Sequence, residues 1–203
     1  MTRGRRADLR RCIGVAVWGA VVFLGFASIG SGSAGAQVEQ GNAQCLVSSG
    51  TISFNPPLVD PGGAPDAVTG SIRLTHCTAG KGPTPIRALA EVRATVEDSC
   101  AGILPLDGFE DSSLDTGIWW GLRSIAPTRV DFAGVSDTTS KNLELVIGGP
   151  NTTATGSYSG SDQGASSTAT IMTGETVDEI TKACSSAPGL SKVKVVGGSL
   201  HVG

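Results

Sequence analysis

The chain has 203 residues, with 15 Lys and Arg against 18 Asp and Glu, and a formal net charge of −3. Without residues 1–36, which form a predicted leader, this length suits one domain with its own core and is short for two. The ten basic residues beyond position 36 are dispersed and form no run. The composition therefore argues against nucleic acid and anionic lipid as partners, because both require clustered Lys and Arg.

Residues 1–36 have the pattern of a secretory signal peptide. Five arginines precede a near-continuous apolar run of 18 residues at 13–30, and Ala34-Gly35-Ala36 provides an A-x-A cleavage site. A retained anchor is the alternative, since such a run just reaches the length that spans a bilayer. The glycines inside the run and the polar residues that follow favour cleavage after Ala36. We therefore predict export to the envelope or the medium, with residues 37–203 as one mature domain and no remaining membrane segment.

Removal of this leader changes both the charge and the cysteine count. Five arginines and one aspartate leave, which takes the formal charge from −3 to −7, and Cys12 leaves with them. An even number of cysteines in an exported chain predicts disulfides. Three pairings are open. We favour Cys45–Cys77 and Cys100–Cys184, because predicted strands at 51–55 and 71–75 would bring the first pair to the same end of a hairpin.

The mature chain has mainly the two-residue period of β-strands. The clearest strand is residues 86–96, with Ile86 first on its apolar face. Other predicted strands centre on residues 68–74, 130–132, 143–147 and 193–201, with Pro- and Gly-rich turns between them. Residues 152–170 are small and polar, which predicts exposed, weakly packed strands or a flexible loop.

One short helix is predicted near the C-terminal end. Thr173 would cap it, and Val177, Ile180 and Cys184 would form its apolar stripe, with Gly189 beyond its end. Many short strands, few helices and no βαβ alternation indicate an all-β fold, an immunoglobulin-like β-sandwich with this one helix.

The order of cysteines and strands also resembles a known group of proteins. Cys45, GTISFNPPL at 50–58 and GSIRLTHC at 70–77, then Cys100, the Trp119-Trp120 pair, Cys184 and the closing GSLHVG resemble small exported two-disulfide proteins of high-GC Gram-positive bacteria. The resemblance covers most of the mature chain and implies an immunoglobulin-like sandwich and export. Its motifs are structural, so it implies no catalytic residue.

Catalytic and cofactor motifs are missing from the sequence. The chain has two histidines, His76 and His201. His76 continues the inward face of the strand at 68–74, which predicts a structural role. There is no G-x-S-x-G elbow, no phosphate-binding glycine loop and no C-x-x-C metal spacing. We therefore predict no catalytic residue and no resident cofactor apart from weak calcium.

Calcium is the one metal for which the sequence offers ligands. Asp107, Glu110, Asp111 and Asp115 fall within nine residues of a predicted loop. Flexible carboxylate oxygens suit extracellular calcium, although the spacing is not that of an EF-hand. The alternative is a solvated acidic loop.

The second candidate site is an aromatic surface at Trp119. Adjacent strand residues point to opposite faces, so Trp119 and Trp120 cannot enter the same core. Trp120 shares a register with Ile118 and Leu122, which assigns it to the core. Trp119 then points outward beside Gly117 and Gly121, where it could stack on a sugar or pack against a protein. A covering loop is the alternative.

These observations predict a non-enzymatic extracellular or envelope interaction module, with a protein or a glycan as its partner. Two alternatives remain open. One is a secreted hydrolase whose active site has no motif, and the other is a surface component that self-associates through the polar strands after Gly149.

Overall fold

In the part of the chain that the structure describes, alternating apolar side chains form nine strands, and one short helix is present. The structure, a computed structural model of the full chain, describes residues 35–60, 62, 65–97, 100, 109–139, 142–148, 152–160 and 166–203. The predicted leader lies outside this part, except for Gly35 and Ala36. The elements are β1 (Ala43–Leu58), β2 (Pro65–Ala79), β3 (Arg87–Glu97), β4 (Phe109–Trp120), β5 (Thr128–Thr139), β6 (Asn142–Ile147), β7 (Thr153–Gly156), β8 (Thr168–Thr176), α1 (Val177–Cys184) and β9 (Leu190–Val202).

All nine strands belong to one curled antiparallel sheet. Their order is β4-β3-β2-β1-β9-β8-β6-β5-β7, and β4 also pairs with β5. This last pairing closes the sheet into a ring of eight strands. The short strand β7 pairs with residues 128–131 of β5, while β6 pairs with residues 135–139 of the same strand. The prediction of an all-β fold with one short helix is confirmed.

The inward faces of the eight ring strands form a single apolar core. Ile72, Ile118, Val130, Val195 and Leu200 are among its buried members. A cavity of about 30 Å³ remains inside, lined by side chains from all eight strands of the ring. Ligand pockets are about ten times larger. This part of the interior is therefore closely packed and too small for a ligand of ordinary size.

Both favoured disulfides are present. Cys45–Cys77 links neighbouring strands β1 and β2 across 4.0 Å between Cα atoms. Cys100–Cys184 ties helix α1 to the segment between β3 and β4, with Cα atoms 6.0 Å apart. Two such bridges indicate an extracellular, oxidising environment.

The helix is present, but its predicted cap is wrong. Thr176 is the N-cap: its hydroxyl accepts from Glu179 N at 3.2 Å, and Thr176 N donates to the Glu179 carboxylate at 2.9 Å, which forms a capping box. Thr173 instead lies buried in β8, where its hydroxyl donates to Leu143 O at 3.1 Å. The helix is short because β8 continues to residue 176.

Two further strand predictions need correction. Ile86 is 82% exposed and lies one residue before β3 begins, so the apolar face of this strand starts at Ala88. His76 does not continue the inward face of β2, because the pairing with β1 slips by one residue between positions 75 and 78. His76 is at this extra position in β2; its φ is 50°, and its side chain is exposed.

Residues 37–42 run across one end of the ring before β1 begins. Gln37 forms a parallel bridge with Ile125, and Ala126 N donates to Gln37 O at 2.8 Å. On the other side, Tyr158 N donates to Glu39 O at 2.7 Å. This short segment therefore joins the turn after β4 to the turn after β7.

Candidate functional site

Strand β4 places its two adjacent tryptophans on opposite faces of the sheet. Trp120 points into the ring and is 6% exposed, whereas Trp119 points outward and is 46% exposed. This is the orientation that the alternation with Ile118 predicts. Leu122, which was expected to share the inward register of Trp120, lies in the turn beyond β4 and is 38% exposed.

The indole of Trp119 lies along the strand over Gly117. A Cβ atom at position 117 would stand 2.6 Å from Cη2 and 2.8 Å from Cζ3 of this indole, closer than real Cβ contacts. Strand side chains two residues apart share a face, and any larger residue at 117 would push the ring away. Glycine at this position therefore lets the indole lie down on the sheet while nearly half of Trp119 stays exposed.

Charged and apolar residues flank this indole on the two neighbouring strands. Trp119 is directly opposite Leu89 of β3, and Gly117 is opposite Glu91 of β3 and Arg129 of β5. Leu89 and Glu91 are half-buried, and Arg129 is exposed. These five residues share the outer face of the sheet, and we call them the Trp119 surface. It combines one aromatic ring with one carboxylate and one guanidinium.

A row of charged residues borders this surface. Asp115 of β4 is opposite Arg93 of β3 on one side and Asp131 of β5 on the other, and all three are exposed. Opposite charges across a pair of strands attract, and like charges repel. The outer face of β3, β4 and β5 is thus strongly polar around its single exposed indole.

The predicted calcium ligands are placed only in part. Asp107 lies outside the described residues. Glu110, Asp111 and Asp115 belong to strand β4, so the prediction of a loop there is wrong, because the β-pairing of β4 with β5 extends back to Phe109. Among the described residues, no three His, Cys, Asp or Glu side chains are grouped as a metal site would require. Calcium binding stays a prediction.

Trp120 belongs to a buried polar network at one end of the core. Its indole N–H donates to the Thr128 hydroxyl at 2.8 Å, and this hydroxyl donates in turn to Ser157 O. The ring of Tyr158 meets that of Trp120 edge to face, with centroids 4.8 Å apart. The Tyr158 hydroxyl donates to Pro83 O at 2.5 Å. The side chain of Trp120 is therefore held by contacts within the core and is not accessible to a partner at the surface.

Tyr158 was the only large side chain in a stretch expected to pack weakly, and it is fully buried. Burial, and then the nearby charge of Glu39, raise the pKa of Tyr158 above its ordinary value. Its backbone has a φ of 57°, which non-glycine residues seldom adopt. In the sequence, Tyr158 stands alone as a large aromatic residue among the small polar residues at 152–170, and this isolation is the signal that could have predicted its burial.

Each of the two histidines has one polar contact in the described part of the chain. Nδ1 of His76 lies 3.3 Å from the Thr75 hydroxyl, and Nδ1 of His201 lies 3.4 Å from Ser166 O. Neither contact pairs a histidine with a carboxylate, as a catalytic triad requires.

Comparisons with protein-family models, with curated proteins and with solved structures find no match to this chain. Across the described residues, no helix combines the length and hydrophobicity needed to cross a membrane. The function therefore has to be inferred from the side chains of this chain and from their geometry. Sequence reasoning found Trp119 but missed Glu91 and Arg129, because naming its neighbours requires the register of β3 and β5 against β4.

Proposed function

We propose that the mature protein is an exported, non-enzymatic binding module that contacts the cell envelope through the Trp119 surface. The observation that carries this proposal is the exposure of Trp119 at 46% on the outer face of a regular strand, with its ring laid over Gly117. A partner that covers an exposed large aromatic removes its apolar area from water, and this contributes favourably to binding.

The closed sheet supports an outer surface as the place of binding. The cavity described inside the ring has a volume of about 30 Å³, and its lining is almost entirely apolar. Strand edges are also largely used up, because each of the eight ring strands pairs on both sides. The outer faces are left for recognition, and Trp119 is the one aromatic residue exposed there among the described side chains.

Export by the predicted leader is part of the proposal. Backbone pairing of the described chain begins at Gln37, directly after the predicted cleavage point, while Gly35 and Ala36 are exposed. Cleavage after Ala36 would thus leave the paired segment intact. Amino-terminal sequencing of protein recovered from the culture medium tests this step, and a chain that still begins at Met1 would contradict it.

The sequence also predicts a finer feature of the fold, the immunoglobulin-like sandwich. We propose that the ring is flattened so that β1–β4 face β5, β6, β8 and β9, as the two layers of an immunoglobulin-like sandwich do. The small volume of the cavity supports this, since side chains of all eight strands approach one another closely. A crystal structure with a round cross-section would contradict it.

A binding assay with isolated cell walls tests the main proposal. The mature protein is mixed with insoluble walls of a high-GC Gram-positive bacterium and sedimented. We expect wild-type protein in the pellet and Trp119→Ala in the supernatant. Met172→Ala is the matched control, because Met172 is another exposed apolar residue, at 39%, on the outer face of β8. Equal pelleting of the Trp119→Ala variant and the wild type would overturn the proposal.

The alternatives predict other results. Self-association through the polar strands after Gly149 would use the free edge of β7, which pairs only with β5 in the described sheet. A monomer in analytical ultracentrifugation at high concentration counts against it. A hydrolase would lose a measured activity in His76→Ala or His201→Ala. Weak calcium binding is tested by calorimetric titration with calcium chloride, with Asp115→Asn expected to reduce the heat.

A further inference from the structure

We propose that the ligand of the Trp119 surface is a neutral sugar ring of an envelope glycan, stacked on the indole between Glu91 and Arg129. This inference rests on the proposed function and adds the ligand class and two specificity-determining residues. It follows from the geometry around Gly117.

The first observation is the orientation of the indole. Its far end lies over Gly117, so the ring extends along the strand and does not stand upright from the sheet. An indole in this orientation provides an extended apolar platform at the level of the backbone. The C–H face of a pyranose is apolar and of similar width, and it covers such a platform without burying polar groups.

The second observation is the pair of charged groups beside the platform. Glu91 and Arg129 occupy the register positions on either side of Gly117, so their Cα atoms are separated by two strand spacings, about 10 Å. A sugar placed over Gly117 lies between them. Hydroxyl groups both donate and accept hydrogen bonds, so one sugar ring can donate to the carboxylate and accept from the guanidinium.

The same surroundings disfavour a protein as the occupant. The centres of protein interfaces are depleted of charged residues, and a stable interface covers about 800 Å² on each partner. In the described register Leu89 is the apolar residue paired with Trp119, and charged residues occupy the positions paired with Gly117 and Asp115 on both neighbouring strands. A surface with a small apolar centre and polar surroundings fits one hydroxyl-rich sugar ring better than it fits the surface of a protein.

Charge further restricts the ligand. The mature domain has a formal charge of −7 once residues 1–36 are removed, and in the row next to the site the two carboxylates of Asp115 and Asp131 outnumber the one guanidinium of Arg93. An anionic polymer would be repelled by this field. The sugar is therefore expected to be uncharged, without phosphate or carboxylate groups.

The test uses free sugars as competitors in the wall-binding assay. The probes are the methyl glycosides of glucose, galactose, mannose, arabinose and N-acetylglucosamine, with sodium glucuronate as the anionic comparison. We expect at least one neutral glycoside to release the wild-type protein from walls, and glucuronate to release none. Walls treated with protease should still bind, because a glycan survives this treatment.

Variants test the two flanking residues. Glu91→Gln and Arg129→Gln should each weaken binding by about tenfold or more, because each variant loses the charge that strengthens a hydrogen bond to the sugar. Glu144→Gln on β6 is the matched control, since Glu144 is also half-buried and lies on a different strand. Circular dichroism verifies that each variant is folded.

Each outcome decides between the two proposals. Loss of binding in Trp119→Ala together with release by a neutral glycoside supports the inference. If Trp119→Ala loses binding but protease treatment abolishes it and no glycoside competes, the partner is a protein: the proposed function stands and this inference falls. If glycosides compete but both glutamine variants bind like wild type, the roles of Glu91 and Arg129 are wrong. Unchanged binding by Trp119→Ala removes both proposals.

Discussion

Trp119 and Trp120 are identical in chemistry and adjacent in the chain, yet they have opposite surroundings. Trp120 is 6% exposed, donates a hydrogen bond to Thr128 and meets the ring of Tyr158. Trp119 is 46% exposed and lies over Gly117. Their difference comes from a single step along a strand, which reverses the face on which a side chain lies.

This contrast separates stability from recognition within one dipeptide. A buried aromatic residue stabilises a fold through the area that it removes from water and through close packing. An exposed one contributes little to folding and leaves its area available for a partner. We therefore expect substitutions of Trp120 to act on the free energy of unfolding, and substitutions of Trp119 to act on binding.

The largest expected effect belongs to Trp120. Trp120→Ala should lower the free energy of unfolding by about 3–5 kcal/mol, the usual cost of truncating a buried large aromatic. Urea unfolding of the mature domain, followed by far-ultraviolet circular dichroism, measures it. Trp120→Phe, which keeps a ring but loses the hydrogen bond to Thr128, should cost less and remain folded. A loss for Trp120→Ala below about 1 kcal/mol would break the contrast.

The next effect concerns the polar support of Trp120. Thr128→Val preserves shape but leaves the indole N–H and Ser157 O without the hydroxyl that joins them. Unsatisfied buried groups cost about 1–3 kcal/mol, so the unfolding midpoint in urea should fall. Thr155→Val, at an exposed position of β7, is the control and should change stability by less than about 0.5 kcal/mol. Equal effects of the two variants would show that the network is not stabilising.

A smaller effect should appear at alkaline pH through Tyr158. Its pKa is raised in the folded state by burial and by Glu39, so the protonated phenol is favoured by folding. The resulting stabilisation is complete below about pH 10, the ordinary pKa of tyrosine, and is lost as pH rises through the higher folded value. Wild-type protein should therefore lose stability more steeply above pH 10 than Tyr158→Phe. Parallel curves would contradict this, and ultraviolet absorption of the chain's single tyrosine measures the pKa directly.

The smallest effect on stability is expected for Trp119. Trp119→Ala should change the free energy of unfolding by no more than about 0.5 kcal/mol, as surface substitutions usually do. The same urea experiment measures it beside the Trp120 variants. A loss above about 1 kcal/mol would mean that the indole stabilises β4 by covering Gly117, and the division between the two tryptophans would then be incomplete.

Much of the fold could be predicted from local patterns in the sequence. Alternation placed Val68, Ile72 and Leu74 on one face, and all three are buried. Cysteine parity and the pairing of the first two strands led to the observed disulfides. Alternation and the Cys45–Cys77 bridge depend on neighbours in the chain or on an adjacent hairpin, whereas Cys100–Cys184, 84 residues apart in the sequence, is the pair that remains once the first is chosen.

The errors occur where the extent or the irregularity of strand pairing decides the structure. The acidic residues from Glu110 onward suggested a loop, but pairing with β5 continues back to Phe109 and makes this segment a strand. His76 left the inward face because one extra residue is accommodated in β2. Closure of the ring by β4 and β5 was not foreseen either, since periodicity describes the face of a strand and not its neighbours.

The sequence patterns predicted part of the candidate site, as they predicted part of the fold. Its aromatic residue followed from alternation around Ile118, and its openness followed from Gly117. Glu91 and Arg129 were out of reach, because they meet Gly117 only through the register of two separate hairpins. The site therefore combines residues of three consecutive strands, and its composition depends on their register.

The paired tryptophans also give the mature chain an optical reporter. Trp18 would leave with the predicted leader, so Trp119 and Trp120 would be the only indoles of the mature chain. Trp119, which is partly in water, should emit at longer wavelength than Trp120, which is enclosed by the core. Quenching by dissolved iodide would reach the first and spare the second. One fluorescence spectrum would thus follow occupancy of the outer face and integrity of the core at the same time, without an added dye.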